Sequence, residues 1–507
     1  MLQFMRSFQG TSAPDDILEG IALGDIGAIC LFAYTNVRSP EQLRRLTDQL
    51  HQTALDYGHL PPLIGIDQEG GQLMAITTGA TELPGNMALG ATRSPELARL
   101  AGKVIARELL AMGINFNFAP VLDVNVNPAN PAIGIRSFGD DPALVGELGA
   151  AMIAGMQAEG VIATAKHFPG HGDTEGDSHY EAPVVHHNLE QIEEIDLYPF
   201  QQAIQAGVQS IMTSHILYPA LDNENPATLS PAILKALLRE KMGFNGMIVS
   251  DAMDMHAVSR LGSEVSLSQA LDAGNDLITL GHITDQAYWA AHFKHKISSA
   301  SVQRIQTLRK GLHRHLPPVS SVGSLEHKVI AQHIADASIT QLRDRQMLLP
   351  LRLKSEQSIA VITVKPQDLT PADTSSRVQI RLANAVQKRH ANTQAYELTY
   401  QASRTEIADI LNATAEADVV IVGTISSGSD PSQGELVRAI HDRGQDLIVG
   451  ALRIPYDIMD FPMISTYLCA YGIRDLSTEA LTRVIFGEIR AQGILPCHIP
   501  DIEVEAN

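Results

Sequence analysis

Short apolar runs rich in β-branched residues recur through the first part of the chain: Leu2–Phe8, Gly27–Phe32, Leu63–Asp67, Asn115–Ala119, Ile162–His167, Ser210–His215, Met247–Asp251 and Asp276–Leu280. Runs of this length read as buried strands. Most intervals between them carry apolar residues at helical spacing, as in Ser39–Leu55, Pro95–Met112, Ala143–Gly160, Leu189–Gly207 and Ser230–Met242. Several of these helices open on a capping serine (Ser39, Ser94, Ser230), some with proline in the first turn. Strands alternating with helices eight times over about 250 residues is the arithmetic of a (β/α)8 TIM-like barrel. A doubly wound open sheet is the alternative.

The pattern changes at "LPPVSSVGS", Leu316–Ser324, where Pro, Ser and Gly crowd together as in a linker. A helix is expected next, over Leu325–Leu342. A second alternating series follows, with strands at Ile359–Val364, Val419–Thr424, Leu447–Ala451 and Ile464–Leu468. Its helices are expected at Gln379–Lys388, Glu406–Ala415, Gln433–Asp442 and Thr478–Gly487. The expected organisation is a catalytic barrel over 1–315, a linker and connecting helix over 316–345, and a three-layer α/β sandwich over 346–507.

Composition narrows the function without defining it. The chain has 507 residues, 45% hydrophobic and 19% charged, as expected of a folded globular protein with more than one core. Its net charge of −20 argues against a phosphate-backbone partner, so no nucleic acid is expected, and against anionic lipid. No apolar run reaches the ~18 residues of a membrane span. Cys30, Cys469 and Cys497 give neither a disulfide framework nor a zinc spacing. A cytoplasmic location is expected, with secretion if a leader precedes Met1.

In a barrel, chemistry gathers at the carboxyl ends of the strands. Four strands finish there on ionisable side chains: Asp67 with Glu69 just beyond, Lys166 and His167, His215, and Asp251. A helix cap explains one such residue cheaply, but not four. Asp251 follows the apolar "GMIVS"; Asp254 is better placed to cap the next helix, which frees Asp251 to act as a nucleophile. The segment from Lys166 to His179 packs His167, His171, Asp173, Glu175, Asp177 and His179 among glycines that permit sharp bends. Asp177 and His179 stand two apart, so the carboxylate can hold the imidazole N–H and leave the other nitrogen for proton transfer. Two other readings of this loop stay open: zinc ligation by His171, Asp173 and His179, and a solvated acidic loop with no role. His186 and His187 are expected at the surface.

These residues bring a family into view. The chain resembles family 3 glycoside hydrolases, in their bacterial β-N-acetylglucosaminidase branch. The matching segments include "IDQEGG", "GINFNFAPVLDVNVNP", "IGIRSFGDDP", "KHFPGHGDTEGDSH", "MTSHILYPALD", "LLREKMGFNGMIVSDAMDM" and "AGNDLITLG", in order from Gly65 to Gly281. The second half is similar to the sandwich domain of longer members. The resemblance implies Asp251 as nucleophile, His179 as general acid/base and Asp177 as its orienting partner. It implies Asp67, Arg136, Lys166 and His167 as ligands of the sugar hydroxyls. It further implies a retaining exo-β-N-acetylhexosaminidase, with a role in cell-wall recycling. Its carbohydrate substrate would be an N-acetylglucosaminide, such as a muropeptide or chitooligosaccharide, and no cofactor or metal is expected. A phosphorolytic enzyme, a β-glucosidase and a non-catalytic sugar-binding protein are the alternatives. One departure stands out: many relatives read "DQEGGR", and here the sixth residue is Gln72.

Overall fold

The computed structural model describes residues 2–180, 182–312 and 316–505. Its first unit alternates strands and helices in the order β1 (Phe4–Met5), α1 (Asp15–Ala22), β2 (Ala28–Cys30), α2 (Pro40–Asp56), β3 (Leu63–Ile66), α3 (Pro95–Ala111), β4 (Phe116–Asn117) and α4 (Pro142–Glu159). It continues with β5 (Ile162–Phe168), α5 (Tyr198–Gln205), β6 (Ser210–Thr213), α6 (Ala232–Lys241), β7 (Met247–Ser250), α7 (Ser263–Ala273), β8 (Ile278–Thr279) and α8 (Ser299–Lys310). Strands β2 to β7 form one parallel sheet in chain order. β1 pairs with β8, and bridges Arg6–Ile29 and Val249–Leu277 carry the hydrogen bonding round to β2 and β7. This curled parallel sheet is the TIM-like unit expected from the sequence.

Side-chain alternation explains the two-sided burial. Ala28, Cys30, Leu63, Ile162, Met247 and Val249 fill the interior with Phe116 and Phe118. Their neighbours Ile29, Ile64, Ile66, Ala163 and Ile248 face the helices. The same period of two sends Asp67 (after Leu63 and Gly65), Lys166 (after Ile162 and Thr164) and Asp251 (after Met247 and Val249) to the inner side at the mouth. Gly65 has no side chain for a spatial reason: a Cβ there would stand 2.6 Å from the ring of Phe118. The long helices start as their sequences dictate. Ser39 accepts the N–H of Gln42 at 3.2 Å and Ser94 that of Leu97 at 3.3 Å, each with proline next. Where one helix was expected over Leu189–Gly207, a capped turn and a π-helical turn (Ile192–Asp196) lead into α5. α6 is wound as a π-helix throughout.

The second unit comprises α9 (Leu325–Ser338), β9 (Thr340–Asp344), β10 (Ile359–Val364), α10 (Leu382–Gln387), β11 (Thr393–Leu398), α11 (Arg404–Ala413) and β12 (Val419–Thr424), then α12 (Pro431–Asp442), β13 (Asp446–Ala451), β14 (Thr466–Cys469) and α13 (Asp475–Ile485). Its sheet runs β9-β14-β13-β12-β10-β11, all parallel except β9. Here the sequence reading needs correction. The helix expected to Leu342 stops at Ser338, and β9 then pairs with β14, so part of the segment read as a linker belongs to the second sheet. β11 was not foreseen. The two units share a seam: Met87, Ala88, Ala91 and Ile135 of the first join the apolar core of the second. Beside it, the hydroxyl of Tyr34 donates to Asp368 at 2.6 Å and Arg377 stacks over the Tyr34 ring.

Candidate active site

Four charges line up at the mouth beside β3 and β5. Lys166 Nζ lies 2.7 Å from Asp67 Oδ1 and 2.6 Å from Glu69 Oε1. Arg136, on the segment after β4, grips Glu69 with two bonds, Nε to Oε2 at 2.9 Å and a terminal nitrogen to Oε1 at 2.7 Å. Signs therefore alternate along Arg136–Glu69–Lys166–Asp67. Burial alone would push the Glu69 carboxyl up, but the charges of Arg136 and Lys166 outweigh it and hold it at about 2. Lys166 is held above its ordinary value because Asp67 and Glu69 overcome its burial. The ion pair of Arg136 is thus deep in the protein, not at the surface. Three of its five N–H groups are engaged, by Glu69 and the Ala132 carbonyl. Lys166 keeps one N–H, and Asp67, about one-third exposed, keeps one oxygen for an outside partner.

His167 is fixed by Asp123, which donates nothing and accepts twice: the His167 backbone N–H at 3.1 Å and Nδ1 at 2.7 Å. Asp123 is wholly buried; burial would raise its carboxyl, and the imidazoles of His167 and His171 with these bonds bring it below the ordinary value. With Nδ1–H committed to the carboxylate, Nε2 is the free nitrogen of His167. The sequence reading assigned no role to Asp123 or Glu69. Their only signal was the occurrence of a carboxylate shortly after a strand, in "PVLDVN" and "IDQEGG".

The loop after β5 brings Asp177 and His179 together as their spacing suggested. Asp177 Oδ1 accepts His179 Nδ1 at 2.6 Å and the His179 backbone N–H at 2.9 Å. His179 is 28% exposed and Asp177 only 5%, so the imidazole edge faces outward with its tautomer fixed from below. The other loop residues are spoken for. His171 is bonded to Thr174 at 2.9 Å, and burial pushes its imidazole down to about 4, which keeps it neutral. His187, expected at the surface, is instead buried between Asp196 at 2.7 Å and Asp173 at 3.0 Å. Among the described residues no group of three His, Cys, Asp or Glu could hold a metal ion.

Asp251 directly follows β7 and accepts the N–H of Ala252 at 2.7 Å. Burial would raise its carboxyl; the imidazoles of His167, His215 and His179, with that N–H, outweigh burial and leave it below the ordinary value. Asp251 is thus held as an anion in the field of these three imidazoles. His215 is held by Thr228 at 2.8 Å and by the Ala252 carbonyl at 3.0 Å. The backbone also links this wall to the loop, through Ala257 N–H to the Ser178 carbonyl at 3.3 Å. Asp254 does not cap the next helix, whose cap is Met255. It accepts the N–H of His282 at 2.8 Å, and Gly281 makes room for it, since a Cβ there would meet Asp254 Oδ1 at 1.9 Å. Gln72 puts no charge at the mouth; its side chain reaches Ala372 of the second unit at 3.3 Å.

A barrel mouth lined with alternating charges, an anionic aspartate and an imidazole–carboxylate pair suits an enzyme acting on sugars. Residues 5–308 match the glycosyl hydrolase family 3 N-terminal domain, and the chain belongs to that family of glycoside hydrolases. It is 32% identical to the β-hexosaminidase A of Pseudoalteromonas piscicida, over 96% of this chain and 91% of that one. It is 36% identical to a β-hexosaminidase of Methylobacillus flagellatus, over 61% of this chain and 89% of that one. The structure superposes on a family 3 β-N-acetylglucosaminidase from Paenibacillus sp. str. FPU-7 with a TM-score of 0.92 and 34% identity, covering 98% and 97% of the two chains. Among the described residues, no helix is long and apolar enough to cross a membrane.

Proposed function

We propose that this glycoside hydrolase is a retaining exo-β-N-acetylhexosaminidase that removes terminal β-linked N-acetylglucosamine. Asp67, Lys166, Arg136 and His167 bind the hydroxyls of the sugar. Asp251 attacks the anomeric carbon while His179 Nε2 gives a proton to the departing oxygen. A glycosyl ester on Asp251 results, with inverted configuration. His179, now neutral, takes a proton from water as the water attacks, and the sugar leaves with net retention. Asp177 stabilises the imidazolium that exists before the first step and after the second. The observation that carries this reading is the half-buried, anionic Asp251 lying within the field of His179, on the same rim as the Asp67–Lys166 pair.

Phosphate is a competing acceptor, because a neutral imidazole does not repel an anion as a carboxylate would. We take 1–315 as the catalytic unit and the sheet from β9 onward as a three-layer sandwich. A cytoplasmic role in cell-wall recycling, on muropeptides or chitooligosaccharides, completes the proposal. The test is a panel of aryl β-glycosides with and without phosphate, run on the wild type and on Asp251→Ala. Turnover of the N-acetylglucosaminide is expected in the wild type and a loss of at least ~10³-fold in the variant. A preference for the glucoside, or a folded variant with full activity, contradicts it.

A further inference from the structure

We propose that the second unit serves the sugar site directly, as a clasp on the hairpin that carries Glu69, with Thr374 and Arg474 as positioning residues. The inference rests on the glycosidase reading above and adds a role for the second unit within it.

Immediately after Asp67 the chain forms a hairpin, Gln68–Gly70 paired with Leu73–Met74. Glu69 sits in its first strand and tethers both Arg136 and Lys166. Such a ribbon, two and three residues long, has little stability of its own. Its turn is looser still: Gly70 and Gly71 both adopt left-handed backbone angles, φ 93° and 61°. The base is tied within the first unit, where Gln68 exchanges bonds with Asn117 at 3.0 Å each way. The tip is held largely from the other unit. The Gln72 carbonyl accepts Thr374 Oγ1 at 2.7 Å and the Thr374 N–H at 3.2 Å. Thr374 Oγ1 in turn accepts the Met74 N–H at 3.3 Å, so one hydroxyl joins the turn to the return strand of the hairpin. Arg474, between β14 and α13, donates to the Gly71 carbonyl at 3.1 Å and pairs with Glu82 at 2.6 Å.

The clasp is itself rigid. Thr374 is 1% exposed, on the loop after β10. The adjacent Asp373, fully buried, accepts the N–H groups of Ser375 at 2.9 Å and Leu369 at 3.0 Å. It also pairs with Arg453, just past β13, at 2.7 Å. The loop is therefore anchored to the central strands of the second sheet. Any movement of the hairpin tip shifts Glu69, and with it the two cations that present hydrogens to the sugar. Displacements of an ångström at such a site alter rates by up to about 100-fold.

The experiment compares full-length wild type, Thr374→Val, Thr374→Ser and Arg474→Gln. Each is assayed with p-nitrophenyl N-acetyl-β-glucosaminide for kcat and KM, with free N-acetylglucosamine for inhibition, and by circular dichroism for folding at the assay temperature. Thr374→Val keeps the shape and loses the hydroxyl. It is expected to raise KM and the inhibition constant together by about tenfold, while Thr374→Ser stays within about twofold of the wild type. Arg474→Gln, an independent second lesion, is expected to move KM in the same direction. A folded Thr374→Val with wild-type KM overturns the proposal, as does an equal defect in Thr374→Ser. If Thr374→Val does not fold, an unchanged KM in Arg474→Gln overturns it. A wild type inactive on this substrate refutes the N-acetylglucosaminide reading instead, and the clasp is then judged on whichever aryl β-glycoside the wild type cleaves.

Discussion

Replacing Glu69 by glutamine removes the anion that separates two buried cations, and the cost follows from the structure. The carboxyl lies at about 2 in the folded protein against an ordinary 4.5. At about 1.36 kcal/mol for each tenfold change, that difference represents about 3 kcal/mol of preference for the ionised, folded state. Breaking a buried ion pair from one side gives the same scale, about 3–5 kcal/mol. Because the folded value is depressed, this stability is fully present above about pH 4.5 and fades as pH falls toward about 2. The gap between wild type and Glu69→Gln should therefore be about 3 kcal/mol at pH 7 and narrow by about 1 kcal/mol by pH 3.5. Urea unfolding followed by tryptophan fluorescence measures it, since the sole tryptophan, Trp289, lies in the helix Gln286–His292 of the first unit. A loss well under 1 kcal/mol at pH 7, or a gap that does not narrow in acid, would refute the reasoning.

The ends of the barrel strands were legible in the sequence because strand alternation is local: once Leu63–Asp67 and Met247–Asp251 read as strands, the side of their last carboxylates is determined. Asp177 and His179 were legible for the same reason, being two residues apart. What escaped were partners brought together by the fold over long separations. Asp123 meets His167 across 44 positions and Glu69 meets Arg136 across 67, and no spacing rule announces either. His187 looked like a surface residue because Asp173 and Asp196, which bury it, come from either side of it. The missed strands β9 ("TQLRD") and β11 ("TQAYEL") lie at the edges of the second sheet, where polar residues replace the apolar runs that marked the central strands.

Three further outcomes follow from the site. Asp123→Asn should lower kcat/KM by about 10- to 100-fold, the worth of a charge-assisted bond of roughly 1.5–3 kcal/mol to His167; an unchanged value would show that His167 needs no such partner. His179→Ala should cost about 10²–10⁴-fold on substrates with poor leaving groups and far less on dinitrophenyl glycosides, and equal losses on both would remove it from the acid role. The His187 imidazole is raised above its ordinary 6.5, chiefly by its bond to Asp196. Its contribution is therefore complete below about that pH and lost as pH rises through the folded value. The difference in melting temperature between wild type and His187→Gln should shrink from pH 6 to pH 8.5, and a gap that stays constant or widens would contradict this.

The central claim is that Asp251 becomes covalently bonded to the sugar. A 5-fluoro N-acetylglucosaminyl fluoride, whose electron-poor ring slows both steps while its good fluoride leaving group keeps the first one fast, should trap that intermediate long enough for peptide mass mapping. The account predicts one sugar adduct on the peptide containing Asp251, absent from Asp251→Ala. An adduct on Asp67, Asp254 or any other carboxylate would contradict it.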